Sequence, residues 1–408
     1  MRFRLTLVRV SFFCCALPVF AQQPTSNSPQ VMQQCVNQQS LRPRLPAAPR
    51  TKFAPICKSV VPDEQQLPQN LPRHDDGAGY VTFDVPGAAN GTFTTGINDW
   101  AEAAGYYVDA GYIDHGFLRG PLGSITRFDV RGDGGGTIIY AINNAGTATG
   151  NWCPDTTYTF CPGFVRYANG KVVSFDVAGD YYGAYPEAIN QEGTVTGSYW
   201  DVNVVAHGFV RTSNGTVTTF DAPGAVYETA PLTINPDGSI AGTYQDGAGA
   251  WHGFVRDRNG EITTFDVPGG VNTGEGAFSG GPAVNMNPEG EVTGSYLQLP
   301  STYLGFLRHR DGTFDTFYAA NYPPCCIWTF PTAINADETI AGYQNDGNSI
   351  NHGFVRTRDG DVTLFDVPGA GTGYFQGTVV IGMTAGRVIA GFYTDNAGLS
   401  HGFLRIPQ

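Results

Sequence analysis

Charged residues are scarce in this 408-residue chain, and basic residues are scarcer than acidic ones. Asp, Glu, Lys and Arg make up 14% of it, with 23 Lys and Arg against 36 Asp and Glu, which gives a formal net charge of −13. No cluster of Lys or Arg interrupts this acidic background. Because nucleic acids and anionic lipids are bound chiefly through basic side chains, the sequence predicts neither as a partner.

Long apolar runs are also missing, and none reaches the length of a membrane span. The one short run, Val10–Phe20, follows Arg2, Arg4 and Arg9 and ends beside the small residue Ala21. This arrangement is typical of a cleaved secretory signal and is too short for a transmembrane helix. We therefore predict a signal peptide at 1–21, export to the periplasm or the medium, and no membrane span. We expect a monomer.

Cysteine is sparse, and no Cys-x-x-Cys spacing suggests a metal site. Six cysteines follow the signal, an even number that predicts disulfides in an exported protein. They are Cys35, Cys57, Cys153, Cys161, Cys325 and Cys326. We predict a Cys153–Cys161 bridge because both lie in one loop between two predicted strands, and we leave the other pairings open. We expect no cofactor; structural calcium in the Asp/Asn/Gly loops is an alternative without EF-hand spacing.

Helical periodicity is absent as well, whereas glycine and period-two alternation are abundant. The 54 glycines, with aromatic residues at 12%, are typical of an all-β chain with many tight turns. Residues 22–78 differ from the rest: they are rich in Pro and Gln and lack periodicity. We predict a flexible leader at 22–78 and one domain at 79–408.

That domain is made of seven repeats of 45 to 52 residues. The consensus of the repeats reads Ile-Asn-x-x-Gly-x-Val-x-Gly-x-Tyr, then His-Gly-Phe-Val-Arg, then Gly-x-Val-Thr-x-Phe-Asp-Val-Pro-Gly. The Phe of the last phrase recurs at Phe83, Phe128, Phe175, Phe220, Phe265, Phe317 and Phe365. The first copy precedes any Ile-Asn phrase, and the last His-Gly-Phe, at His401, has no Phe-Asp phrase after it.

Each repeat divides into four short strands, which is the size of a propeller blade. In the third repeat we predict strands at Tyr185–Asn190, Thr194–Tyr199, His207–Arg211 and Val217–Asp221. The offset of the first and last repeats predicts a ring closed by an N-terminal strand at about 81–85, which would complete the last blade and hide two sheet edges. The predicted fold is an all-β, seven-bladed β-propeller of four-stranded blades.

The repeated polar residues are best interpreted as parts of this frame. The Asp after each Phe is expected to accept hydrogen bonds from turn amides, and the Asn of Ile-Asn is expected to start a tight turn. The His begins the third strand in five repeats and is expected to make structural bonds, since residues placed alike in five blades cannot all face one substrate. Its five copies are His115, His207, His252, His352 and His401.

These phrases resemble the HAF family of probable extracellular repeats. The resemblance rests on His-Gly-Phe-Val-Arg with Thr-Thr-Phe-Asp-Val-Pro-Gly and on the Ile-Asn phrase, and it covers Gly79 to Arg405. The chain departs from the pattern at Cys161-Pro162 and Leu304, which replace the His, and at Tyr318, which replaces the Asp. The resemblance implies export and a repeat fold, and it brings no catalytic residues.

In such a propeller the first-to-second and third-to-fourth strand turns share one side, here called the turn face. The second-to-third and blade-to-blade connections share the other, the loop face. The turn face carries short, nearly constant Asn-x-x-Gly and Arg-x-x-x-Gly turns, whereas the loop face carries the length variation and most unusual residues. Exposed aromatic rings can stack on sugar rings, and carboxylates beside them can accept hydrogen bonds from the sugar hydroxyls. We therefore predict a non-catalytic binding protein for a glycan or a protein surface, with these ligand-binding residues: Trp152, Tyr182, Trp200, Asp201, Asp246, Trp251 and Trp328.

The alternative is a propeller-fold hydrolase or lyase that acts on carbohydrate. Glu187 and Glu228 are predicted at the entry of the innermost strands in neighbouring blades. Two carboxylates about 5–10 Å apart at the mouth of the channel would suit glycosidic cleavage. A non-enzymatic role is the favoured interpretation, because carboxylates at such positions are common in propellers without activity.

Overall fold

The computed structural model describes residues 77–132, 134–274, 284–298, 302–319 and 328–407, and these residues form an all-β structure. They contain 29 strands and no helix. Accordingly, no described segment is a helix that could cross a membrane. The predicted signal, nearly all of the predicted leader, and Cys35, Cys57, Cys325 and Cys326 lie outside the described residues.

Seven units follow one another, numbered 1 to 7, and each has four strands in antiparallel order. The first strands are β2 (Thr92–Ile97), β6 (Gly136–Ile142), β10 (Ala184–Ile189), β14 (Glu228–Ile234), β19 (Val284–Met286), β23 (Trp328–Ile334) and β27 (Gly377–Met383). The second strands are β3 (Ala103–Val108), β7 (Ala148–Cys153), β11 (Val195–Trp200), β15 (Ile240–Gln245), β20 (Val292–Gln298), β24 (Ile340–Asn345) and β28 (Ile389–Thr394).

The outer half of each unit is a second hairpin. The third strands are β4 (Asp114–Arg119), β8 (Gly163–Arg166), β12 (Ala206–Arg211), β16 (Trp251–Arg256), β21 (Thr302–Arg308), β25 (Asn351–Arg356) and β29 (Ser400–Ile406). The fourth strands are β5 (Ile125–Phe128), β9 (Val172–Phe175), β13 (Val217–Phe220), β17 (Ile262–Phe265), β22 (Phe314–Phe317), β26 (Val362–Phe365) and, in unit 7, β1 (Gly79–Phe83). A short additional strand, β18 (Asn272–Thr273), pairs with β20.

The N-terminal strand pairs with the C-terminal strand. Strand β1 runs antiparallel to β29, in a register that places Gly79 opposite Ile406 and Phe83 opposite Gly402. The predicted partner is therefore confirmed, and the strand begins and ends two residues earlier than the predicted 81–85. Single parallel bridges link four neighbouring pairs of units, so that the hydrogen-bonded strands form sheets of 13, 8 and 8 strands.

Close approach explains the two glycines that recur inside each unit. A Cβ at the second-strand Gly197 would lie 1.9 Å from the carbonyl oxygen of Tyr185, at the bulge where the register of β10 shifts. A Cβ at the third-strand Gly253 would lie 2.3 Å from the ring of Phe265, its cross-strand partner. The Gly of the His-Gly-Phe phrase is therefore required by the Phe of the Phe-Asp phrase.

Neighbouring units are joined by a repeated contact between an arginine and a phenylalanine. The last Arg of each third strand lies over the fourth-strand Phe of the preceding unit, at 4.8 to 5.0 Å from the ring centroid. Each such cation–π contact contributes roughly 0.5–2 kcal/mol. The seventh copy joins Arg119 of unit 1 to Phe83 of β1, so the contact also links the two ends of the repeat array.

Asparagines make a second repeated link on the turn face. The side chain of Asn98 donates to the carbonyl of Asn143, and the same donation recurs from Asn143 to Asn190, Asn190 to Asn235, Asn235 to Asn287 and Asn287 to Asn335. In Asn98, Asn143, Asn190, Asn287 and Asn335 the side-chain oxygen also accepts an amide of its own turn, as expected from the sequence. Across the ends of the array, the amide of Ala385 donates to Asp99.

Candidate functional site

The loop face carries five copies of a histidine held between two aspartates. His252 shows the pattern: Nδ1 lies 2.8 Å from Asp266 and Nε2 lies 3.4 Å from Asp246. The ring also stacks on Tyr244 at a centroid distance of 4.8 Å. The other four copies are Asp129–His115–Asp109, Asp221–His207–Asp201, Asp366–His352–Asp346 and Asp84–His401–Asp395.

This geometry adds a partner to the Asp that follows the fourth strand. Asp84, Asp129, Asp221, Asp266 and Asp366 each face a histidine ring. The aspartates after the second strand bind turn amides. Asp246, for example, accepts from the amides of Ala248 and Ala250 through Oδ1 and faces His252 through Oδ2.

The second-to-third loops are therefore more uniform than predicted. In five units the loop begins with an Asp whose side chain accepts a hydrogen bond from the amide four residues later. The residue just before that amide, the fourth of the loop, has a positive φ. These fourth positions are Tyr112, Val204, Gly249, Ser349 and Gly398. The expected variation in loops of this kind falls in units 2 and 5, and the rest falls in the blade-to-blade connections. Asp201 and Asp246, predicted as ligand-binding residues, use their carboxylates to hold these loops and their histidines.

Units 2 and 5 lack the histidine and also lack the loop aspartate. Unit 5 has Leu304 and Gln298 at the two positions, and unit 2 has Pro162 and Pro154. In unit 2 a disulfide closes the loop instead: Cys153 and Cys161 are joined with a Cα–Cα distance of 4.3 Å, which confirms the predicted bridge. Loss of both partners in the same units indicates that His and loop Asp act as one structural element.

The histidines differ in how strongly the aspartates act on them. Burial opposes the charged imidazole of His352, but Asp346 and Asp366 outweigh it and raise the pKa of His352 to about 9. The same balance raises the pKa of His115, where Asp129 and Asp109 outweigh burial. At neutral pH we therefore expect His352 to be charged and to bind both carboxylates.

The four predicted tryptophans lie at strand ends on the loop-face side, and all are half-buried. Trp200 ends β11, Trp251 begins β16 and Trp328 begins β23, while Trp152 lies one residue before the end of β7. Trp152 donates to Ser174, and Trp328 packs edge-on against Tyr303 at 5.9 Å. Tyr182 is also half-buried, packed edge-on against Tyr181.

The exposed apolar side chains of the loop face are instead tyrosines, valines and one phenylalanine. Of the thirteen exposed large apolar residues among those described, ten lie in loop-face connections and three on the turn face. The ten are Tyr112, Tyr181, Val202, Val204, Val226, Tyr227, Val271, Tyr318, Tyr374 and Phe375. Tyr374 is the most exposed of them, at 74%, and its ring lies 4.3 Å from that of Phe375. Exposed apolar surface that collects on one side of a protein is typical of an interaction site.

From the sequence we predict the rarer tryptophans as ligand-binding residues and not these tyrosines. Tyr181, Tyr227, Tyr318 and Tyr374 each fall between a fourth strand and the next first strand. Their common place in the repeat is the signal that would have found them.

The two candidate acids lie among inner strands of units 3 and 4, at different depths. Glu228 is the first residue of β14, as predicted, whereas Glu187 is the fourth residue of β10 and not at its entry. Burial, followed by the charge of Glu228, raises the pKa of Glu187 to about 8, and burial raises the pKa of Glu228 to about 7. Two carboxyls that titrate near neutrality are able to hold or release a proton at physiological pH.

Further titratable groups surround these acids. Burial, followed by the charges of Glu187 and Tyr185, raises the pKa of Tyr140, whose hydroxyl donates to Asn151 at 3.1 Å. Burial also raises the pKa of Asp114 to about 6. In units 5 to 7 one core cluster joins Tyr303, Phe330, Tyr343, Val379 and Ile381, with Leu297, Trp328 and Phe392 packed against it. Among the described first strands, the carboxyls with raised pKa values are therefore those of units 3 and 4.

No protein-family model and no curated protein matches the chain. Among solved structures it is similar to a streptogramin B lyase, with a TM-score of 0.50 and 10% identity over 81% of this chain and 97% of that one. It is also similar to a puromycin hydrolase (TM-score 0.46, 12% identity, 77% and 53% covered) and to TolB from Acinetobacter baumannii (0.41, 11%, 76% and 65%). At such low identity the first of these similarities supports a propeller-type fold and nothing about activity.

Proposed function

We propose that this chain is an exported protein of the HAF repeat type, and that its seven units form a closed seven-bladed β-propeller. Three features support closure: β1 completes the sheet of unit 7, Arg119 lies over Phe83, and Ala385 donates to Asp99. Each joins residues near the two ends of the array by a contact of the kind made within or between other units. The disulfide fits an oxidising compartment.

The proposed activity is non-catalytic binding on the loop face, and the proposed ligand is a glycan. The observation that carries it is the concentration of exposed apolar side chains on that face, ten against three. Tyr181, Tyr227, Tyr318 and Tyr374 are amphipathic rings that can stack on a sugar while the hydroxyl accepts or donates a hydrogen bond. They stand on short connections held by the sheets, which is the arrangement from which binding surfaces are built.

A glycan array probed with the mature protein tests this proposal. We expect binding that falls about tenfold in Tyr374→Ala and in Tyr181→Ala, equivalent to roughly 1.4 kcal/mol for each ring. The matched control is Trp100→Ala, which removes a 66% exposed aromatic ring from the turn face and should leave binding unchanged. Trp251→Ala on the same array tests the predicted tryptophan set.

Two results would contradict this proposal. One is a silent array together with capture of a defined protein partner, which would replace the glycan by a protein ligand. The other is equal loss of binding in Trp100→Ala, which would show that the loop face is not the binding face.

Carbohydrate cleavage is the second candidate, favoured by the raised pKa values of Glu187 and Glu228. A carboxyl that stays protonated at neutral pH beside a second carboxyl is the requirement for general acid catalysis of glycosidic cleavage. Release of reducing sugar that is lost in Glu187→Gln and kept in Glu289→Gln, which removes an exposed turn-face carboxylate, would establish this activity. No release from any glycan that the array shows to be bound would rule it out.

A further inference from the structure

The turn face holds a group of potential metal ligands that neither proposed function uses. Glu291 lies between β19 and β20, His309 follows β21, and Glu338 lies in the turn between β23 and β24. The group therefore spans the junction of units 5 and 6, on the face opposite the exposed tyrosines. One ligand atom from each of the three residues lies within 4.8 Å of the other two, and none of the three side chains is fully exposed.

The spacing suits a tetrahedral ion. His309 Nδ1 and Glu291 Oε1 are 3.3 Å apart. Metal–ligand distances of about 2.0–2.2 Å place neighbouring ligands of a tetrahedral zinc ion roughly 3.3–3.5 Å apart. Glu338 would supply the third ligand after a small side-chain movement, and water the fourth.

The outer contacts of the group are those that orient metal ligands. The far nitrogen of His309, Nε2, lies 3.2 Å from Asp315 Oδ2, which would fix the ring and leave Nδ1 for an ion. The second oxygen of Glu291 accepts a hydrogen bond from Asn287 at 2.8 Å. Asn287 also donates to the carbonyl of Asn335, at the start of the turn that carries Glu338.

Comparison with the other units shows that this junction is unusual. Glu338 has a φ of +57°, in a position that is glycine in units 2 to 5, Ala101 in unit 1 and Arg387 in unit 7, so no other unit places a carboxylate there. The residue equivalent to His309 is Gly120, Tyr167, Thr212, Asp257 and Thr357 in units 1 to 4 and 6. Among the described units, a carboxylate at the first of these positions and an imidazole at the second therefore meet only at the junction of units 5 and 6.

We propose that Glu291, His309 and Glu338 bind a divalent transition-metal ion of the zinc class that fastens unit 5 to unit 6. An imidazole with two carboxylates suits zinc, cobalt or nickel, whereas calcium takes oxygen ligands. The five Asp–His–Asp elements do not form comparable sites, because their two carboxylates lie on opposite ring nitrogens. Arg358 lies 3.2 Å from Glu338 Oε1 but is 71% exposed, so the ion displaces it at little cost.

Titration of the mature protein with zinc chloride tests the site, after iodoacetamide treatment so that free thiols do not contribute. We expect one zinc ion per chain, and a melting temperature that rises with zinc concentration. Glu338→Gly is the sharpest variant, because it removes a ligand and installs the residue that four other units carry at this position. It should melt without zinc at least as high as the parent chain, and bind zinc at least tenfold more weakly.

The controls separate this site from other carboxylates and histidines. His309→Gln should also lose zinc, whereas His401→Gln and Glu102→Gln should keep it; Glu102 holds the position of Glu291 in unit 1. Retention of stoichiometric zinc by Glu338→Gly, or the absence of zinc binding in the parent chain, would overturn the proposal.

Discussion

The two faces of the repeat array use different polar residues and join different parts of the structure. On the turn face, five Asn side chains each link their own turn to the next unit, so these bonds run between units. On the loop face each His links two Asp residues of its own unit, and in unit 7 one of them is supplied by the segment that follows β1. The Asn side-chain bonds therefore join neighbouring units, whereas the His–Asp contacts lie within one unit.

This difference explains where variation is tolerated. A change in an Asn turn disturbs two units, because the donor and the carbonyl belong to neighbours. A change in an Asp–His–Asp element disturbs one unit, and this element is replaced by a disulfide in unit 2 and by Leu304 and Gln298 in unit 5. The blade-to-blade connections, which carry most of the exposed tyrosines, are therefore free to differ without loss of the frame.

Removal of residues 79–87 should have the largest effect, since it deletes the strand that joins the two ends. It exposes the edge of β29, removes Phe83 from under Arg119 and takes Asp84 from His401. We expect a loss of more than about 4 kcal/mol in the free energy of unfolding, or aggregation through the free edge. Thermal melts and light scattering would show it, and a melt equal to that of the parent chain would refute the closed ring.

Asn143→Ala should have the next largest effect and separates the two faces. The buried side chain donates to Asn190 at 2.8 Å and accepts from Ala145 and Thr147, so its loss leaves groups of two units unpaired. We expect a loss of about 2 kcal/mol in the free energy of unfolding by urea. Asn143→Asp should lose less, because it keeps the acceptor oxygen within the turn.

Tyr374→Ala is the matched comparison on the loop face, where the ring is largely in solvent. Its free energy of unfolding should change by less than about 0.5 kcal/mol. If Tyr374→Ala and Asn143→Ala lowered the free energy of unfolding equally, the proposed difference between the turn face and the loop face would be contradicted.

Much of the strand arrangement can be predicted from the sequence, because the seven copies of the repeat can be compared with one another. The offset of Phe83 and His401 predicts the β1–β29 pair, and the position of Cys153 and Cys161 within one loop predicts their bridge. Both inferences need only the order of strands along the chain.

What the sequence could not show are contacts between side chains from different phrases of the repeat. The Asp of the Phe-Asp phrase contacts the His fourteen residues before it, as Asp266 contacts His252. The repeat length alone does not show which ends of the third and fourth strands lie side by side. The exposure of Trp200 and Trp251 also depends on packing that composition does not encode. Glu338 drew no attention because its position is defined by a turn rather than by a motif.

One loop-face element should stabilise the fold in a pH-dependent way. The pKa of His352 is raised from 6.5 to about 9 in the folded chain, so its stabilisation is fully present below pH 6.5 and is lost as pH rises through 9. Allowing for its partial exposure, we expect His352→Gln to remove about 1 kcal/mol at pH 6 and much less at pH 10. Asp366→Asn should reduce the same difference, because it removes the carboxylate that lies 2.8 Å from Nδ1. Unfolding measured from pH 6 to 10 decides it: a loss that is independent of pH would mean that His352 acts through packing and not through its charge.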